Sequence, residues 1–238
     1  MNLHQKVEIR MGLKLESVVP WGRSMTEYVR MFHLQASELQ SKIIDCASGP
    51  ASFNAQMTSL GYQVVSCDPV YELSASEIAR RIQETYSLLI NGVEKNQHNY
   101  LWIEIESPAK LGEIRIEAMS QFLADFPLGL EEKRYLTDGL PKLPFAANQF
   151  DLALCSHFLF TYSDHFSAEF HVEAIKEMCR VAKEARIFPL LNISSEPSLL
   201  LHPVLSELQN QGYRAEIKQV PYEFQRGGNL LLRVCQAT

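Results

Sequence analysis

The chain has 238 residues, 46% of them hydrophobic, and carries 22 Lys+Arg against 28 Asp+Glu for a formal net charge of −6. That length suits one domain, 1–238, with a sizeable core, and the acidic balance, without a basic run longer than two residues, argues against nucleic acid as a bulk partner. Met1 to Arg10 is charged rather than apolar and no apolar run approaches bilayer length, so neither a secretory signal nor a membrane partner is expected and the protein reads as cytoplasmic.

The first element is announced by Ser24-Met25-Thr26-Glu27, a capping box that opens a helix carrying Tyr28, Met31, Phe32 and Leu34. Residues 1–40 read as an amino-terminal cap. Next comes Lys42-Ile43-Ile44-Asp45-Cys46-Ala47-Ser48-Gly49-Pro50, a strand and a tight turn, with Pro50 suited to the first position of a helix that stops at Gly61. A β-branched run, Val64 to Cys67, then delivers Asp68 and Pro69 about twenty residues beyond the turn, where a carboxylate can accept both hydroxyl protons of a ribose. A nucleoside-containing cofactor is the natural ligand.

The turn also narrows the choice of nucleoside. A dinucleotide site needs several glycines to bring backbone against a pyrophosphate, and here only Gly49 remains, with Ala47 and Ala51 in place of others and no Lys or Arg nearby. A phosphate-free nucleoside fits better. Asp45 can approach a cationic amino-acid group, and S-adenosylmethionine carries both an ammonium and a sulfonium.

Between Asp68 and Asp138 lie about seventy residues, more than one helix and one strand require. Ser74-Ala75-Ser76-Glu77 caps a helix with Ile78, Ile82, Tyr86 and Leu89 on one face, and a second helix is expected from Lys110 to Phe126 with Leu111, Ile114, Ala118, Phe122 and Phe126 as its stripe. Tyr100-Leu101-Trp102 lies between them as an aromatic anchor. This insertion, 72–135, is either a wall of the substrate site or ordinary packing against the sheet edge.

Further on, Phe150 to Cys155 reads as a strand leading into Ser156 and His157. Ligands bind beyond the carboxyl ends of strands in open α/β sheets, so His157 is a candidate general base, or else a hydrogen-bonding or structural residue. Tyr162 to His171 invites a metal reading, but His165 and His171 do not have the i, i+4 spacing of a helical ligand pair, and a polar helix entrance capped by Ser163 or Asp164 is the plainer account. No metal is expected. Five cysteines, an odd number without a C-x-x-C pair, argue against a disulfide framework or zinc ribbon. Cys46, Cys67 and Cys155 would adjoin if the first strand lies between the second and fourth, as apolar filler or, on the sharper reading, a redox or metal cluster.

Arg186 to Leu191 supplies a fifth strand, a helix runs from Pro203 to Gln209, and Arg214–Val220 and Leu230–Val234 are strands joined by a loop with Gly227-Gly228. Such a link favours a hairpin. In its loop Arg226 could bind an anionic acceptor, or the loop could merely cover the core edge.

Together these segments resemble the class I S-adenosylmethionine-dependent methyltransferases. The resemblance rests on Asp45-Cys46-Ala47-Ser48-Gly49, Asp68-Pro69, Leu143-Pro144-Phe145 leading into Asp151 to His157, and the terminal hairpin. The whole chain, with Trp21-Gly22-Arg23-Ser24, Ser156 to Ser163 and Tyr222 to Asn229, looks like a bacterial group of methyltransferase-like proteins without an assigned substrate. It implies an α/β Rossmann-like fold: seven strands, mostly parallel with an antiparallel carboxyl-terminal strand, helices on both faces, and the helical insertion after the second strand. S-adenosylmethionine is the implied cofactor, held by Asp45, Cys46, Ala47, Ser48, Gly49, Asp68, Pro69, Ser156 and His157, with Asp138 and Gly139 at the adenine and Tyr28 at the methionine end. Phe160, Tyr162 and Arg226 are the implied acceptor contacts.

Methyl transfer to a small molecule is the expected activity, by elimination, since no Asn-Pro-Pro-Tyr, Asp-Pro-Pro-Tyr or Pro-Cys motif marks a nucleobase or glutamine methyltransferase. A protein that binds S-adenosylmethionine or S-adenosylhomocysteine without turnover is the alternative. A nicotinamide-dependent oxidoreductase is disfavoured by the missing glycines and the hairpin.

Overall fold

The computed structural model describes residues 18–237. The charged segment Met1 to Arg10, and the first part of the cap read over 1–40, therefore lie outside the described residues. Among those described, six α-helices and seven strands alternate: α1 Met25–Met31, β1 Ile43–Cys46, α2 Phe53–Ser59, β2 Val64–Cys67, α3 Ala75–Lys95, α4 Pro108–Glu131, β3 Tyr135–Leu136, β4 Phe150–Ser156, α5 Ala168–Val181, β5 Ala182–Phe188, α6 Leu201–Asn210, β6 Tyr213–Gln219 and β7 Leu230–Gln236. No helix among the described residues is long and apolar enough to cross a membrane.

The strands form one sheet in the order β3-β2-β1-β4-β5-β7-β6. Strands β1 to β5 pair in parallel, whereas β7 runs antiparallel to both β5 and β6. This is the class I methyltransferase arrangement. Its order reverses at β1, whose neighbours are β2 and β4, and the crevice outside the carboxyl ends at such a switch point is where open α/β sheets take ligands.

Alternation along β1 sends Ile44 and Cys46 to a core under α5 and α6, and Ile43 to the opposite core under α1 and α2. Cys46 lies level with Cys67 on one side and Cys155 on the other, as the adjacency of strands requires. All three are buried among apolar neighbours, and burial raises their thiols, Cys67 and Cys155 to about 12. They pack as small hydrophobes.

Several boundaries differ from the sequence reading for local reasons. Helix α2 starts at Phe53 rather than Pro50, because left-handed backbone at Gly49 (φ +53) carries the turn further before a helix can begin. Helix α5 is capped by Ser167, whose side chain accepts from the Phe170 amide, and neither Ser163 nor Asp164 caps it. Strand β5 starts at Ala182, directly on the end of α5, so its polar first half was hidden from a hydrophobicity pattern. Helix α4 extends from Pro108 to Glu131, with Ser107 as its cap.

The insertion has its own small cores. Ile78 and Ile82 of α3 meet Met119, Phe122 and Phe126 of α4 beside Tyr71 and Tyr135, while Val93, Tyr100, Ile105 and Leu111 form a second cluster against Trp102 and Phe224. Phe224 belongs to the β6–β7 connection, so the two excursions from the sheet pack on each other. Leu101 donates its amide to the Phe224 carbonyl at 2.8 Å, and the Tyr100 and Phe224 rings stack 4.9 Å apart.

Candidate functional site

The turn after β1 holds two residues at positive φ, Ala47 (+54) and Gly49 (+53). Left-handed backbone costs an alanine about 1 kcal/mol or more, and hydrogen bonds to β2 hold it there. Ala47 donates its amide to the Cys67 carbonyl at 2.8 Å, and Gly49 donates to Asp68 Oδ2 at 2.8 Å. The other oxygen of Asp68 accepts from the Val70 amide at 2.8 Å. Tyr71 closes the arrangement, giving its hydroxyl to the Gly49 carbonyl at 2.7 Å and standing 2.6 Å from Ser48 Oγ. Burial raises the Asp68 carboxyl, and these two amides oppose the rise.

Asp45 occupies the middle of β1 on the α1/α2 side of the sheet. It is completely buried, and among the described residues neither carboxylate oxygen has a hydrogen-bond partner. Burial pushes its pKa well above the ordinary value, with Tyr28 lowering it and Asp68 raising it further. The Tyr28 phenol is close enough to influence the carboxyl but is not in hydrogen-bonding geometry with it. A buried acid without a donor is costly unless something else supplies one. The need is for a cationic or N–H-bearing ligand group.

Opposite the turn stands His157, at the carboxyl end of β4 with φ +50. Its amide donates to the Phe188 carbonyl at 2.6 Å, its ring leans on Phe188, and Nδ1 is 2.9 Å from Ser156 Oγ. Burial, then the positive charges of Arg23 and Arg115, drive its pKa well below the ordinary histidine value, so the imidazole is neutral.

A single cavity connects these groups, lined on the sheet side by Ala47, Ser48, Gly49, Asp68, Ser156 and His157. Across it stand Trp21 and Arg23 of the strap before α1, Tyr28, Leu89 and Val93 of α3, Leu111 and Arg115 of α4, and Tyr222 and Phe224 of the β6–β7 connection. The strap passes so close to the turn that a Cβ at Gly22 would overlap the Pro50 carbonyl.

The far wall is tied by a buried polar knot. Arg115 makes a bidentate pair with Glu27 at 2.6 and 2.7 Å, and Tyr222 donates its hydroxyl to Glu27 at 3.0 Å. Burial alone would raise Glu27, but Arg115 overrides it and holds the carboxyl at about 2. Glu27 also accepts from the Ser24 amide, so the capping glutamate is simultaneously the counter-ion of the insertion. Arg23 differs. It gives one guanidinium N–H to the Trp21 carbonyl at 2.9 Å and leaves its Nε buried without a partner. Burial, and then Arg115, lower its pKa to about 10.

Of the residues singled out from sequence, Ala47, Ser48, Gly49, Asp68, Ser156, His157, Tyr28 and Tyr162 line the cavity, with Tyr162 accepting from the Val19 amide at 3.2 Å. Asp45 and Cys46 are fully buried and outside the lining, Cys46 on the α5/α6 side of the sheet. Pro69 begins the turn after β2, and Gly139 packs against it, while Asp138 is exposed and outside the lining. Phe160 is buried against His171 in the α5/α6 core. Arg226 is exposed and donates from Nε to the His98 carbonyl at 2.8 Å, clamping the β6–β7 connection onto the insertion rather than entering the cavity.

Sequence reasoning gave no role to Arg23 or Arg115, whereas Tyr222 lies in the loop, Tyr222 to Asn229, on which part of the resemblance rests. One signal was present: Arg115 falls in step with Leu111, Ala118, Phe122 and Phe126, a cation on the apolar stripe of α4. Nothing comparable marked Arg23. Among the described residues no group of three or more His, Cys, Asp or Glu is placed to hold a metal ion.

No protein-family model matches the chain. Among solved structures, it is similar to a 1,6-didemethyltoxoflavin-N1-methyltransferase from Burkholderia thailandensis with S-adenosylhomocysteine bound (12% identity, 90% of this chain and 78% of that one, TM-score 0.45). It is also similar to the magnesium protoporphyrin IX methyltransferase of Synechocystis PCC 6803 with S-adenosylmethionine bound (13% identity, 84% and 73%, TM-score 0.41). Likenesses at these scores carry no argument about the site. The sequence is 35% identical over 223 residues to the uncharacterised protein MJ0045 of Methanocaldococcus jannaschii, covering 92% of this chain and 97% of that protein. That relative is archaeal, whereas the resemblance drawn from sequence was to a bacterial group. With near-complete coverage at this identity, the chain belongs to the same family as MJ0045, built on the class I methyltransferase fold.

Proposed function

We propose that this protein binds S-adenosylmethionine at the turn after β1 and transfers its methyl group to a small molecule held in the adjoining cavity. The observation that carries the reading is the pair of carboxylates at the switch point. Asp68 is bound to the turn through the Gly49 amide, and Asp45 is buried with two unpartnered oxygens. They suit a ribose and an ammonium respectively, with nothing in the turn to meet a phosphate. When bound, the cofactor supplies an electrophilic methyl on a sulfonium.

The chain's own part is to align and to dry the site. Aromatic side chains from the strap, the insertion and the β6–β7 connection close the cavity over the turn, so an acceptor would meet the cofactor away from water. His157 is neutral, and when its Nδ1–H is given to Ser156 Oγ the lone pair on Nε2 is available to take a proton from an acceptor hydroxyl or amine.

One observation favours binding without turnover as a second reading. Burial, and then two arginines, disfavour the protonated form of His157 and so weaken it as a base. Transfer by proximity alone needs no base, so turnover decides between the two readings.

The test is calorimetric titration with S-adenosylmethionine, S-adenosylhomocysteine and NAD, on the native protein and on Asp68→Ala. Micromolar binding of the first two, weakened by the substitution, is expected. Absence of both overturns the reading, and preference for NAD replaces it.

A further inference from the structure

Among the described residues two guanidinium groups line one cavity, and only one has a counter-ion. Arg115 gives both terminal nitrogens to Glu27, and its pairing with that carboxylate leaves a local charge near zero. Arg23 stands in no ion pair among the described residues, yet its Nε is buried and without a hydrogen bond. Arg115 also keeps an unpartnered, buried Nε, on a residue only 1% exposed. Neither of the other ionisable groups at the turn pairs with Arg23 among the described residues: His157 is neutral, and the oxygens of Asp68 accept from the Gly49 and Val70 amides.

A buried guanidinium N–H without an acceptor is costly to keep unless a ligand completes it. One uncompensated positive charge suits a monoanion, and a planar guanidinium edge presenting Nε–H beside an amino group matches a carboxylate. The surrounding surface is aromatic: Trp21, Tyr28, Tyr162 and Tyr222 all face the same space. Among the described residues it has no second free cation for a doubly charged phosphate.

We propose that Arg23, backed by Arg115, is a carboxylate-binding seat in this cavity. The inference rests on the methyl-transfer reading only in naming where the carboxylate comes from. It belongs either to the methionyl end of the cofactor or to the acceptor, and the seat is the same in both cases.

The experiment compares native protein, Arg23→Gln and Arg23→Lys by calorimetry, with thermal melting of each as the check on folding. S-adenosylhomocysteine is titrated beside 5′-methylthioadenosine, which lacks the amino-acid group. Benzoate is titrated beside neutral benzamide, in the presence of saturating 5′-methylthioadenosine. If the cofactor fills the seat, Arg23→Gln weakens S-adenosylhomocysteine about 10- to 100-fold, the effect of losing a charge-assisted contact, and leaves 5′-methylthioadenosine unchanged. If the acceptor fills it, the two nucleosides are affected equally and native protein prefers benzoate over benzamide at least tenfold, a preference that Arg23→Gln abolishes. Arg23→Lys restores part of either effect. Equal nucleoside binding across the three proteins together with no preference for benzoate overturns the seat. Failure of both nucleosides to bind native protein overturns the methyl-transfer reading instead, and the benzoate arm, run without nucleoside, still decides the seat.

Discussion

The floor and the far wall of the cavity are put together over very different stretches of chain. On the floor, Gly49 and Asp68 are hydrogen-bonded across 19 residues, and the strands that carry them are adjacent. On the wall, Glu27 takes Arg115 from 88 residues away and Tyr222 from 195. The floor uses backbone amides and one carboxylate, so its geometry follows from a strand-turn-helix unit. The wall uses side chains from the cap, the insertion and the carboxyl-terminal connection, and exists only when all three have docked. This division teaches that the turn and the wall that closes over it rest on separate parts of the fold, and can be perturbed separately.

The sharpest way to break the wall alone is Glu27→Gln. It leaves Arg115 buried without its counter-ion, and a loss of about 3–5 kcal/mol is expected in urea unfolding. Replacing the pair together, Glu27→Leu with Arg115→Met, is expected to recover most of it. The contribution is also pH-dependent. The folded Glu27 carboxyl sits at about 2 against an ordinary 4.5, so its stabilisation is present above the ordinary value and disappears as the pH falls through about 2. Unfolding midpoints measured across that range check the sign, and Glu27→Gln removes the dependence attributable to this group.

On the floor, Asp68→Ala is expected to weaken S-adenosylhomocysteine binding roughly 100-fold, through two charge-assisted hydrogen bonds to ribose hydroxyls. Asp68→Asn keeps an acceptor for the Val70 amide and is expected to lose less. An unchanged dissociation constant in both variants would place the nucleoside elsewhere.

A smaller signal concerns Asp45. Its carboxyl is raised by burial, so it holds a proton in the free protein below that raised value. An arriving ammonium favours the ionised form. Binding of S-adenosylhomocysteine should therefore release up to about one proton, more as the pH is lowered. Calorimetry in buffers of different ionisation enthalpy reads this directly. Release should vanish in Asp45→Asn, and a buffer-independent enthalpy in native protein would refute it.

Arg226→Ala should show the least. Its contact with the His98 carbonyl lies on the surface, so a change within about 1 kcal/mol of stability is expected, with nucleoside binding unaltered. A clear loss of nucleoside affinity would show that the clamp between the β6–β7 connection and the insertion reaches the floor.

Most of the floor could be read from the chain because its information is local. An apolar pair ending in Asp45, a turn through Gly49 and a second strand ending in Asp68 determine the strand-turn-helix unit, since backbone hydrogen bonds and short loop closure dominate it. The capping boxes at Ser24 and Ser74 were legible for the same reason, and both are formed as written. Where neighbours in space were not neighbours in sequence, legibility fell away. Glu27 could be read as a capping residue but not as the partner of Arg115, and Arg226 could be read as an available cation but not as a surface clamp. Arg23 looks from sequence like any residue before a helix. Only the docking of α1, α4 and the β6–β7 connection gives it a buried Nε and, among the described residues, no ion pair, because burial and the positions of other charges are properties of the packed chain and not of any segment within it.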